Sequence, residues 1–134
     1  MIEANELRFG NLVNEEVLGD CKVSGILKET VWVEAKNIKS NGSHNLRDFH
    51  INIEYLQPIL LTEEWLLKFG FVYTDDVDNL NRDYKLQEFE IQLHLDVNDF
   101  ICCNTIPNYV QIKYIHTLQN LYFDFTNEEL TLNK

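Results

Sequence analysis

Gln87-Glu88-Phe89-Glu90-Ile91-Gln92-Leu93-His94-Leu95 alternates core-directed and polar residues at a strict period of two. Successive side chains of a strand point to opposite faces, so the run reads as a half-buried β-strand. Gln87, Phe89, Ile91, Leu93 and Leu95 are expected toward a core, and Glu88, Glu90, Gln92 and His94 toward water. One dry face and one wet face mark an antiparallel sheet covered on a single side. Such a sheet needs a layer to cover it.

That layer is legible on both sides of the strand. Upstream, Thr62 is a good N-cap, and Glu63 and Glu64 occupy a first turn where the helix dipole favours negative charge. Trp65, Leu66 and Phe69 supply the buried face, Trp65 is expected to be substantially buried against the sheet, and Gly70 stops the helix. Phe71-Val72-Tyr73 then starts a strand that runs into an acidic turn, Asp75 to Asp83. Downstream, Asp99–Cys103 and Tyr109–Lys113 read as strands joined around Pro107-Asn108. From Tyr114 to Phe125 the period becomes helical, with Ile115, Leu118, Leu121, Tyr122 and Phe125 as a wide apolar stripe. Asn127 is placed to end that helix in the left-handed region, and Leu130 and Leu132 suggest an edge strand in the tail.

The first third is different in kind. Asn11–Val13, Cys21–Leu27 and Thr30–Glu34 are β-rich runs separated by Gly19-Asp20 and Lys28-Glu29. Leu7–Val13, with Gly10 turning the chain, reads as the opening of a small SH3-like barrel, preceded by one helical turn over Ala4–Leu7. Lys39–His50 is rich in Ser, Asn and Gly and reads as a loop. Ile51, Ile53 and Tyr55 suggest a strand that stops at Pro58. The expected class is therefore α+β: SH3-like strands, a helix, an antiparallel sheet and a C-terminal helix packed on it. Residues 1–134 read as a single domain, with subdomains 1–57 and 58–134 as an option.

Twenty-two acids against 11 bases give a net charge of −11 over 134 residues. Residues 1–62 carry 9 acids and 6 bases, and residues 63–134 carry 13 acids and 5 bases, so the second half holds most of the field. The balance argues against direct nucleic-acid binding, which needs clustered Lys and Arg. No apolar run approaches the roughly 20 residues of a membrane span, and MIEANELRFG lacks the basic and apolar regions of an export signal. Cys21, Cys102 and Cys103 are odd in number and two are adjacent, which points to reduced thiols packed as small hydrophobes in a cytoplasmic protein.

Constellations with chemistry fail on inspection. Counting from Asp76 as the first position of a calcium loop, Leu80, Asn81 and Gln87 fall at the fifth, sixth and twelfth, where an oxygen ligand, Gly and Glu are needed. His94, Asp96 and Asp99 lack a third ligand with an open position. No spacing ties His44, His50, His94 or His116 to a cysteine, and neighbouring acids would raise a thiol pKa. Phosphate-cradling loops and a nucleophile elbow are absent from the sequence. No enzyme activity, cofactor or metal is expected.

Pro58–Phe71, Ile112–Phe123 and the opening Ala4–Val13 resemble a family of short proteins from bacterial phages and prophages. Members of that family often carry Gly where this chain has Asn127. The family has no assigned catalytic residues, so the resemblance implies no site. It implies a mobile-element context, in which small acidic domains often act against host defence, for example as anti-CRISPR proteins.

The expected function is thus a non-enzymatic binding protein in the cytoplasm of a bacterial host. It would inhibit a basic, nucleic-acid-handling defence protein, most sharply a CRISPR effector nuclease and, by analogy alone, a type VI effector. The expected contact residues are Asp75, Asp76, Asp78 and Asp83 of the acidic turn and Glu88 and Glu90 of the strand, all facing solvent. A nucleotide-signal sponge and a structural or replication accessory of a phage are the alternatives. The sponge is disfavoured because only five bases lie beyond residue 62.

Overall fold

A computed structural model describes residues 2–38, 44–78, 81–95, 99–102 and 110–132, the side chains of 36–38, 44–46 and 75–78 excepted. Two compact units divide the chain, Met1–Ile59 and Leu60–Lys134. The class is α+β, with one five-stranded antiparallel sheet in each unit and helices in the second.

The N-terminal unit opens with a 3-10 turn at Ala4–Glu6. Arg8 to Asn11 then turn sharply into the first strand. Gly10 takes φ 92°, which costs a residue without Cβ little. Fully buried Asn11 accepts a hydrogen bond from the Arg8 amide at 2.7 Å through its side chain, and its carbonyl accepts from Val23 at 2.8 Å. Strands β1 (Leu12–Glu15), β2 (Gly19–Ile26), β3 (Thr30–Ile38), β4 (His44–Asn52) and β5 (Leu56–Gln57) follow, in the sheet order β4-β3-β2-β1-β5. A second 3-10 turn at Ile53–Tyr55 separates β4 from β5. Val13, Cys21, Val23, Val31, Val33, Ala35 and Leu56 form a dry core with Ile2 and Leu7.

Three sequence expectations are corrected in this unit. Residues 44–50 are strand, not loop, and pair with β3 in continuous register from Thr30 opposite Asn52 to Ile38 opposite His44; residues 39–43 lie outside the described set. An edge strand with one wet face carries polar residues at alternate positions, so its composition imitates a loop. The expected strand through Ile53 and Tyr55 is the 3-10 turn instead. Gly19-Asp20 belong to β2 rather than separating strands.

In the C-terminal unit, α1 (Glu63–Lys68) precedes β6 (Val72–Asp78), β7 (Asn81–Leu86), β8 (Phe89–His94), β9 (Asp99–Cys102) and β10 (Val110–Ile112), and α2 (Ile115–Thr126) closes it. The sheet order β10-β9-β8-β7-β6 is a meander in sequence order. Thr62 caps α1 by accepting from the Trp65 amide. Its end is a Schellman turn: Gly70 has φ 95°, its amide donates to Leu67, and the Phe71 amide reaches back to Leu66. Asn127 ends α2 at φ 58°, in the left-handed region. The aromatic centre is Phe89, with Tyr122 of α2 at 5.4 Å edge-on and Phe71 at 6.2 Å.

The alternating strand keeps its predicted faces at the centre and loses them at the ends. Phe89, Ile91 and Leu93 are buried, but Gln87 sits exposed in the β7–β8 turn and Leu95 is exposed beyond β8. The hairpin must reverse at Gln87, which adopts φ 54° to do so. Trp65 is only half-buried, whereas Leu66 is fully buried. A helix of six residues presents one narrow stripe, and Leu66 and Phe69 occupy it. Trp65 lies to the side, tilted on Phe69 at 5.9 Å with Lys68 Nζ 4.7 Å above its ring. On α2, His116 and Gln119 are buried with Ile115, Leu118 and Tyr122, while Leu121 is half-buried and Phe125 exposed. Residues 129–132 form no strand, although Leu130 is buried.

Candidate functional site

The acidic stretch Asp75–Asp83 is a hairpin rather than a turn: Asp75, Asp76 and Asp78 stand on β6, Asp83 stands on β7, and Asn79 and Leu80 lie outside the described residues. The register puts Asp75 opposite Asp83 and Asp76 opposite Arg82, with irregularities between Tyr73 and Asp75 and between Asp76 and Asp78. Asp83 is in turn opposite Gln92 of β8. The side chains of Asp75, Asp76 and Asp78 lie outside the described residues.

Asp83 departs from the expectation of a freely solvated acid. It is half-buried, and Gln92 Nε2 donates to its Oδ1 at 3.1 Å. Gln92 Oε1 lies 2.8 Å from His94 Nε2. An amide oxygen can only accept, so His94 Nε2 carries the hydrogen, and the three side chains form a directed row from imidazole to carboxylate. Thr74 Oγ1 donates to the Asp83 carbonyl at 3.3 Å. Glu88 and Glu90 are exposed as expected. Glu90 lies 3.9 Å from Lys85 across the β7–β8 pair, a surface ion pair that adds little stability.

Arg82 faces the other way. Its Nη1 reaches both carboxylate oxygens of Glu63, at 3.0 and 3.3 Å, and the Tyr84 hydroxyl donates to the same carboxylate. The hydrogen bond and charge of Glu63 hold the Arg82 pKa above its ordinary value. The guanidinium is therefore engaged at α1. This Glu63–Arg82–Tyr84 cluster was not foreseen from sequence. Its one signal is that Arg82 is the sole base between Asp75 and Asp83.

Burial raises the Cys21 thiol to about 11, and the Glu15 and Asp20 charges add to it. Cys21 and Cys102 are buried, and Cys103 and Asp96 lie outside the described residues. Among the described residues no group of three or more His, Cys, Asp or Glu side chains is placed to hold a metal ion, and no helix is long and apolar enough to cross a membrane. Comparison of the chain with protein-family models, curated sequences and solved structures returns no match.

Proposed function

We propose that the protein is a non-enzymatic inhibitor, encoded by a phage or prophage, that binds a basic nucleic-acid-handling defence protein in the bacterial cytoplasm through its acidic C-terminal unit. A CRISPR effector nuclease is the sharpest form of that partner. The observation that carries the proposal is the pairing of Asp75 with Asp83, beside an Arg82 that binds Glu63 of α1. Like charges opposed across a strand pair destabilise a sheet, and violations of local preference concentrate at functional sites. A basic partner surface would supply countercharge to these acids and would be approached faster for it. The N-terminal unit is inferred to be a small SH3-like barrel, supported by its strand order and by the 3-10 turn before β5.

Purified protein should block target cleavage by a CRISPR effector nuclease in a dose-dependent way that weakens with salt. Charge reversal at Asp75, Asp76 and Asp78 to Lys, and separately at Glu88 and Glu90, should abolish the block without lowering the thermal midpoint. Unchanged inhibition by both folded variants would remove the electrostatic mechanism. No inhibition of any effector type by the unaltered protein would remove the anti-CRISPR reading itself.

A further inference from the structure

Among the described residues the two sheets have four edges, and three of them are short, irregular or acidic. β5 has two residues and β10 has three. β6 is longer, but its register breaks twice and it carries Asp75, Asp76 and Asp78. Short edges, irregularities and charge are the devices by which sheets avoid unwanted pairing. β4 differs. It runs nine residues in unbroken register against β3, and nothing among the described residues pairs with its outer side. From Arg47 to Asn52 it contains neither Lys nor Pro, and Arg47, Asp48, His50 and Asn52 are exposed.

Two rows of side chains run across the wet face of this sheet and end at that edge. In the first, Gly25, Trp32 and His50 stand side by side on β2, β3 and β4. The indole and imidazole stack with centroids 4.7 Å apart and planes 13° from parallel. A Cβ on Gly25 would lie 3.3 Å from Trp32 Cβ and Cδ1, so the glycine makes room for the indole. Thr30 Oγ1 lies 2.7 Å from His50 Nε2 and fixes the imidazole plane. The outer face of His50 is thus the open end of a stack. In the second row, Lys22, Glu34 and Asp48 stand side by side. Lys22 Nζ is 3.7 Å from Glu34, and Asp48 accepts from Ser24 Oγ at 3.2 Å. Within this row two acids face one base, and Asp48 is the member at the edge.

We propose that the outer edge of β4 receives an extended peptide strand, antiparallel, that carries an aromatic residue opposite His50 and, two residues later, a basic residue opposite Asp48. Main-chain hydrogen bonds supply affinity in strand addition, and alternate side chains supply selectivity. The aromatic ring lengthens the Trp32–His50 stack, and the cation balances the second row. Antiparallel pairing follows the rest of the sheet and places the side chains directly opposite one another. The surface lies in the N-terminal unit and stands whether or not the acidic hairpins bind a partner.

The probe is a blocked seven-residue peptide of alternating threonine and valine in which a tyrosine is followed two positions later by a lysine. Binding is read by calorimetry and by amide hydrogen exchange of the full-length protein. Alternate amides between Arg47 and Asn52 should become protected. Replacing the tyrosine by alanine or the lysine by glutamate should each weaken binding by up to about fivefold, the span of one cross-strand pair. His50→Ala should match the first loss. Asp48→Lys should lose the lysine peptide and regain the glutamate one, a swap that a merely misfolded variant cannot produce. If His50→Ala melts early, the peptide-side replacements carry the test alone. The proposal is overturned if β4 gains no protection, or if its protection is indifferent to these replacements. It is also overturned if protection grows with protein concentration without peptide, since a second copy would then be the occupant.

Discussion

The Tyr84 hydroxyl donates to the Glu63 carboxylate across 21 residues of sequence, tying the first turn of α1 to the middle of β7. Arg82 grips the same carboxylate, so one acid gathers a phenol and a guanidinium. Removing the phenol hydroxyl in Tyr84→Phe should cost about 1 kcal/mol, the net value of a typical hydrogen bond. Glu63→Ala should cost more, because it takes the carboxylate from both the part-buried Tyr84 hydroxyl and Arg82. Chemical denaturation of both variants checks the order. Equal stability of Glu63→Ala and the unaltered protein would show the cluster to be idle.

Burial raises the Tyr84 pKa to about 12, with the Glu63 hydrogen bond as the next cause. A folded-state pKa above the unfolded one means that the native state holds the proton more tightly. The stability linked to this group is therefore complete below the ordinary value of 10.0 and is lost as pH rises through about 12. Tyrosinate absorbance should show a late phase shared with Tyr122, which burial also raises, and the Tyr84 part of it should move down in Glu63→Ala.

Cys21 follows the same sign. Its thiol is raised to about 11, chiefly by burial, so its contribution is complete below 9.0 and fades through about 11. At pH 8 a thiol-specific disulfide reagent should label Cys21 only as fast as the N-terminal unit opens, and denaturant should release the reaction. Immediate labelling of Cys21, identified by mass spectrometry, would contradict its placement in the core.

The α1 stripe separates two adjacent residues. Leu66→Ala should cost about 2–5 kcal/mol, as for other core leucines truncated to alanine. Trp65→Ala should cost visibly less despite the larger side chain, because part of the indole already meets water. Thermal midpoints of the pair give the comparison, and the reverse order would mean that the helix is rotated.

Gln87 holds φ 54° at the β7–β8 turn, a conformation that costs a residue with Cβ roughly 1 kcal/mol. Gln87→Gly should then raise stability by about 0.5–1 kcal/mol, less whatever the freer unfolded chain takes back. A lowered midpoint would indicate that the side chain contributes something its exposure conceals.

Elements whose signal is local were legible in the sequence. Thr62 and Gly70 bracket α1 because a cap and a stop are decided within a few residues. Phe89, Ile91 and Leu93 kept their faces because a strand alternates whatever surrounds it. The failures are non-local. β4 hid behind polar residues because nothing short-range says that residues 44–52 lie beside β3. Trp65 and Leu66 exchanged importance because the direction of the α1 stripe depends on where the sheet lies. At the candidate site, Glu88 and Glu90 were placed correctly as exposed acids, whereas the engagement of Asp83 by Gln92 needed the β7–β8 register.

Strand order also sets how each unit comes together in time. The C-terminal sheet joins only neighbours in sequence, so each hairpin can form as soon as its turn does. The N-terminal sheet cannot finish that way. Its last pairing joins Glu15 of β1 to Leu56 of β5, and the loop between them must close before any hydrogen bond compensates for it. Rates fall as contacting residues lie further apart along the chain. During synthesis the N-terminal unit leaves the ribosome first, so this slower closing step can begin while the meander behind it is still being made.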